Sequence, residues 1–210
     1  RLACECSCHL AHPPPRGTGP ALAIYFPVDS RLPMPLLSEP SLAAARPLPV
    51  ILLADISTSM GVGGKIEALN AALAEMITSF GEEEPSRVQI HVAVITFGES
   101  AQLHFALAPA TDRRWQPLQA NGRTPLGAAF DLATKLVEDH QQIPSRAYRP
   151  TIVLVSDGIP TDEWRAPLAR LLASGRAAKA SRFAMAIGDD ADHAVLGEFL
   201  ADPQARAFAA

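Results

Sequence analysis

From residue 48 onward the chain switches repeatedly between two hydrophobic patterns. The stretch L48-P-V-I-L-L-A54 is a nearly unbroken apolar run, as expected of a strand buried on both faces of a sheet. After it, Ile66, Leu69, Leu73, Met76, Ile77 and Phe80 recur at the spacing of one helix face. "RVQIHVAVITF" predicts a strand that alternates at first and is apolar throughout its later half. "AQLHFALAP" alternates polar and apolar positions and stops at proline, the pattern of an edge strand.

A helix is predicted to open at Thr124-Pro125, with proline in the first helical position and Leu126, Phe130, Ala133 and Val137 on the core stripe. "TIVLVSD" reads as a further buried strand, followed by a helix bearing Trp164, Leu168, Leu171 and Leu172. "RFAMAIG" predicts another strand, Val195, Leu196, Phe199 and Leu200 another helix, and "ARAFAA" the start of a last strand. Strands alternating with helices give an α/β, doubly wound fold: a mostly parallel sheet with one antiparallel edge strand and helices on both faces.

Residues 1–46 have a different character. They hold many of the 19 prolines ("HPPPR", "LPMPLLSEP") without sustained periodicity, which predicts a disordered or loosely attached leader ahead of a domain over 47–210. Within it, Cys4, Cys6, Cys8, His9 and His12 could form a zinc or copper site. The C-x-C spacing differs from the C-x-x-C of structural zinc sites, and no second ligand pair follows, which favours a plain leader.

Composition adds exclusions. The chain has 210 residues, 48% hydrophobic and 19% charged, enough for one domain with an ordinary core. A net charge of -4 with no basic block lacks the footprint of non-specific nucleic-acid binding. No apolar run approaches the ~20 residues that span a bilayer, and no secretory signal pattern opens the sequence. All three cysteines fall within the first eight residues, so disulfides are not expected to hold the fold; a reducing, cytoplasmic setting is expected.

Ligands of such sheets bind beyond the carboxyl ends of the strands. Asp55, Ser57 and Ser59 leave the first strand there, and an extended chain would aim them the same way. Thr124 lies in a loop entering a helix, and Asp157 ends "TIVLVSD". Two carboxylates and three hydroxyls form an all-oxygen donor set, suited to Mg²⁺, with Mn²⁺ as the alternative, rather than zinc. Neutral hydroxyls leave the ion's charge largely unquenched, so it would still attract a carboxylate from a protein partner. The bland reading of each residue is a turn or cap: serines after a strand, Thr124 as an N-cap, Asp157-Gly158 as a turn pair.

"VILLADISTSM", "VAVITFGESA", "NGRTPLGAAFDLA" and "TIVLVSDGIPTDEW" together resemble a von Willebrand factor type A domain over roughly residues 48–210. That resemblance implies a metal-ion-dependent adhesion site, D-x-S-x-S followed by a distant Thr and a distant Asp, matched here by Asp55, Ser57, Ser59, Thr124 and Asp157. It implies a binding domain, not an enzyme. "SDGIPTDEW" and the compact loop before Thr124 look most like the bacterial tellurite-resistance TerY type. This implies a stress-response setting with phosphatase-like or kinase-like partners. The chain departs from the pattern at Gly122-Arg123, where many relatives have Gly-Gly; Arg123 either rims the site or points to solvent. Relatives also usually carry a further helix after the last strand, so the domain is expected to lack that helix.

Three rivals compete with the metal reading. A P-loop at "SMGVGGK" would need glycine at 59 and Ser or Thr at 66, where the chain has Ser59 and Ile66. A serine hydrolase could order Ser59, Asp157 and His193, but only one strand precedes Ser59, leaving no upstream oxyanion loop. His193 is expected on a helix start capped by Asp189 or Asp190. The third rival is a structural module whose donors hold no ion. His91 and His104 are read as packing or edge residues of strands, His140 as a helix end, and Trp164 as either a metal rim or a core anchor.

Overall fold

An apolar run with no polar interruption can be satisfied only between two layers, and the computed structural model puts "PVILLA" at the centre of a sheet. The structure describes residues 45–83, 88–188 and 191–209. The expected leader, with its cysteines, falls almost wholly on residues 1–44, outside the described residues.

The elements in chain order are β1 (Arg46–Asp55), α1 (Lys65–Glu82), β2 (Val88–Phe97), β3 (Ala101–Pro109), α2 (Leu126–Glu138), β4 (Thr151–Ser156), α3 (Arg165–Ala173), β5 (Ser181–Ala186), α4 (His193–Leu200) and β6 (Phe208–Ala209). The six strands lie in the order β3-β2-β1-β4-β5-β6. β3 is antiparallel to β2, and the other pairs are parallel. This is the expected mostly parallel sheet with one antiparallel edge strand.

The side chains of β1 divide by parity. Ile51 and Leu53 pack with Ile95, Phe97, Leu126, Phe130, Leu168 and Phe199, on the face covered by α2, α3 and α4. Val50, Leu52 and Ala54 pack with Leu69, Leu73 and Ile77 of α1 on the opposite face. The chain leaves β1 through α1 toward β2, and later returns through α2 to β4 on the other side of β1. Right-handed crossovers in opposite directions put their helices on opposite faces. The carboxyl ends of β1 and β4 therefore flank the point where strand order reverses, the crevice of a doubly wound sheet.

Several local expectations shift. β1 begins at Arg46, one residue before the expected boundary. Pro125 is the N-cap of α2 rather than its first helical residue, because its ψ of 68° is not helical. α4 is capped by Asp192, whose Oδ1 accepts from Ala194 N (3.0 Å) and Val195 N (3.2 Å); the expected caps, Asp189 and Asp190, lie outside the described residues. α2 stops at Glu138, so His140 lies in the following turn. Trp164 is a core anchor, 6% exposed, with the Arg165 guanidinium 4.5 Å from its ring centre.

Candidate metal centre

Asp55 is the last residue of β1 and is completely buried. Its Oδ1 accepts from the Ser57 backbone N–H at 2.8 Å, a local turn of the kind aspartate favours. The chain therefore does not continue extended: Thr58–Gly61 forms a 3-10 turn. Turn geometry, not strand periodicity, brings Ser57 Oγ within 3.0 Å of Ser59 Oγ. Ser59 Oγ in turn donates to Asp157 Oδ1 at 2.9 Å.

Thr124 reaches the same crevice through a stitched loop. Asn121 N donates to Ile56 O (2.6 Å), Thr58 N to Gly122 O (3.1 Å) and Arg123 N to Gly98 O (2.9 Å). Gly122 has φ +83°, and a Cβ there would run into the backbone of Glu99. A Cβ on Gly98 would likewise run into the Asn121 carbonyl oxygen. On the other side, Thr161 Oγ1 accepts from Thr124 N (3.1 Å), while Thr161 N donates to Thr124 O (2.9 Å).

The reading of Thr124 as an N-cap does not hold. The first turn of α2 is capped from another segment by Asp162, which accepts from Gly127 N (3.0 Å) and Ala128 N (3.1 Å). The Thr124 hydroxyl faces Gly158 instead. A methyl group placed on Gly158 would lie 3.3 Å from Thr124 Oγ1 and 3.7 Å from both Asp55 Oδ2 and Ser59 Oγ. Donor oxygens from three chain segments thus converge on one small space that glycine leaves clear. All five predicted residues contribute to this constellation.

Two contributors escaped the sequence reading. Ser156, the last residue of β4, donates from Oγ to Asp55 Oδ2 at 2.5 Å and accepts from Gly158 N at 3.2 Å. The register that pairs Ala54 with Val155 places Ser156 next to Asp55; parallel pairing of the two strand ends was the signal available for it. Lys65, the first residue of α1, places Nζ 2.7 Å from Asp157 Oδ2. Arg123 is exposed at the loop beside Thr124.

Burial raises the Asp55 carboxyl above the usual carboxylate range; hydrogen bonds from Ser156 and Ser57 oppose this, and the charge of Asp157 adds to it. Among the described residues, two buried carboxylates, Asp55 and Asp157, and the Lys65 ammonium meet here. The donor set fits a hard divalent cation: carboxylates and neutral hydroxyls, all oxygen. Among the described residues no three His, Cys, Asp or Glu side chains cluster as a metal site, so a softer ligand set is not formed there.

The hydrolase alternative gains nothing from this geometry. Ser59 is bonded to Asp157 and Ser57, while His193 opens α4 and lines a separate cleft with Gly197, Leu200, Asp202 and Arg206.

A family model described as von Willebrand factor type A domain matches residues 50–159, which is more than half of the chain. The chain belongs to the von Willebrand factor type A domain family. Solved structures agree on the fold. The ArnB paralog VWA2 from Sulfolobus acidocaldarius superposes with a TM-score of 0.57 at 15% identity, over 80% of this chain and 42% of that one. Proximal thread matrix protein 1 from the mussel byssus, described with a zinc occupied MIDAS motif, gives 0.55 at 14% identity, over 74% and 42%. The von Willebrand factor type A structure from Catenulispora acidiphila gives 0.54 at 21% identity, over 75% and 37%. The chain thus spans less than half the length of these three structures. No curated protein matches the sequence. Domains of this family are often metal-dependent and commonly mediate protein–protein interactions. Among the described residues of this domain, no helix is long and apolar enough to cross a membrane.

Proposed function

We propose that this von Willebrand factor type A domain is a non-enzymatic binding module that holds Mg²⁺ through Asp55, Ser57, Ser59, Thr124 and Asp157. It would present the ion to an acidic side chain of a protein partner. The observation that carries this reading is the convergence of Thr124, Asp55 and Ser59 oxygens around Gly158, with Asp157 and Ser57 bonded to Ser59. A bound divalent ion supplies Lewis acidity and positive charge to an incoming carboxylate. The chain's own residues supply the rest. Asp55 and Asp157 provide the negative charge, and Ser156 and the Ser57 N–H fix the Asp55 carboxylate. The three hydroxyls add oxygen without further charge.

The likeness of "SDGIPTDEW" to the TerY type supports a finer placement as part of this proposal: a cytoplasmic tellurite-resistance or stress-response system, with phosphatase-like or kinase-like partners. Mn²⁺ is the alternative ion. The zinc occupied motif described for proximal thread matrix protein 1 makes Zn²⁺ the third cation to test.

Titration calorimetry of the full chain with Mg²⁺, Mn²⁺ and Zn²⁺ tests the site, beside Asp55→Asn and Asp157→Asn. Saturable binding in the parent, lost in both variants while each remains folded, is the expected result. Undiminished affinity in either variant would overturn the ligand assignment. A pull-down from cell lysate with and without EDTA tests the partner reading, which requires capture that depends on the ion.

A further inference from the structure

Lys65 occupies an unusual place for a helix-opening residue. Gly63 and Gly64 precede it with φ of 69° and 79°, a left-handed pair that other residues adopt with strain. This turn sets the start of α1 so that its first side chain lies across the crevice. Nζ sits 2.7 Å from Asp157 Oδ2; 14% of the lysine side chain and none of the Asp157 side chain is exposed. The other Asp157 oxygen accepts from Ser59 Oγ at 2.9 Å. The glycine-rich run "GVGGK", which fails as a phosphate loop, therefore delivers a fixed cation to the donor set.

The consequence is competition for one carboxylate. The Lys65 ammonium lies 2.7 Å from Asp157 Oδ2, so a divalent ion that takes Asp157 as a ligand meets it both as a like charge and as a rival for the same group. Loss of the lysine charge removes both.

We infer that Lys65 sets the ion affinity of this site: its ammonium competes with the divalent ion for Asp157. The inference rests on the metal reading proposed above. The lysine stem is largely covered, so removal of the charge with retention of the stem isolates the electrostatic part.

The test is Mg²⁺ titration of the full chain in potassium chloride, parent beside Lys65→Met and Lys65→Arg. Lys65→Met is expected to bind Mg²⁺ on the order of 10-fold more tightly than the parent. Lys65→Arg, which keeps the charge, is expected to stay near the parent. Thermal unfolding of each variant checks that it is folded; if Lys65→Met is not, Lys65→Gln takes its place. Binding by Lys65→Met where the parent shows none also supports competition. Mg²⁺ binding by the parent and Lys65→Met with equal affinity overturns the role of Lys65 and leaves the metal reading standing. Absence of Mg²⁺ binding in the parent and in the neutral variant alike overturns both.

Discussion

Ser156 donates its hydroxyl to Asp55 Oδ2 at 2.5 Å, joining the ends of two neighbouring parallel strands that lie 101 residues apart in the chain. Asp55 is wholly buried, so this bond is part of what makes its carboxylate tolerable at the end of β1. Ser156→Ala should lower stability by about 1.5–3 kcal/mol, the range for a lost hydrogen bond to a charged buried group. Urea unfolding in EDTA would measure it; an unchanged midpoint would mean that water replaces the hydroxyl without cost.

The pH dependence of the metal-free protein follows from Asp55. Its carboxyl is raised above its ordinary value of 3.8, chiefly by burial. Between the ordinary and the raised value the folded state binds more protons than the unfolded one, so stability falls as pH rises. The Asp55 contribution is fully present below the ordinary value and is lost as pH passes through the raised one. Asp55→Asn should flatten this slope, visible as the difference between parent and variant unfolding free energies across the acidic range. A difference that does not vary with pH would contradict it.

Asp55→Asn is also the informative substitution for the metal. Asp55→Ala would strip the Ser57 N–H and the Ser156 hydroxyl of their acceptor, so relief of repulsion between carboxylates is offset by about 1–3 kcal/mol for each group left unsatisfied. Asparagine retains an oxygen acceptor, and its variant should unfold at a higher temperature than the alanine one in EDTA.

Gly158→Ala and Gly98→Ala should separate site from scaffold. An alanine methyl at 158 meets the donor oxygens at 3.3 to 3.7 Å, close to ordinary contact. The fold should survive with a melting temperature near that of the parent, while Mg²⁺ affinity falls. At 98 the methyl meets the Asn121 carbonyl and Ile56, so the loop carrying Thr124 must move. Overpacking of this kind costs about 1–3 kcal/mol, and affinity should fall together with stability.

Asp162→Ala should cost about 0.5–2 kcal/mol through the lost cap of α2. Because Thr161, its neighbour, is bonded to Thr124, the variant should also weaken Mg²⁺ binding. Calorimetry and chemical unfolding of the same sample report the two effects together.

Hydrophobic periodicity made the sheet and its helices legible, because buried parallel strands such as "VILLA" and "TIVLV" tolerate few polar residues. Of the five proposed ligands, Asp55, Ser57, Ser59 and Asp157 were legible from residue type and position at or just after strand ends, and Thr124 from its place in the loop entering a helix. The contacts that organise them were not. Lys65 and Ser156 act across 92 and 101 residues, and Asp162 caps a helix 35 positions earlier, so no local pattern announces them. Pro125 read as a first helical residue because proline favours that position, but its ψ of 68° leaves it just outside the helix.

β1 lies between β2 and β4 in space, yet β4 follows it by about a hundred residues in the chain. During synthesis this largely buried strand therefore acquires one neighbour early and waits for the other. Through that interval it offers an unpaired edge rich in Val, Ile and Leu, the type of surface that recruits other chains. Asp55 ends that strand with a carboxylate, the type of residue that, flanking a hydrophobic strand, guards against aggregation.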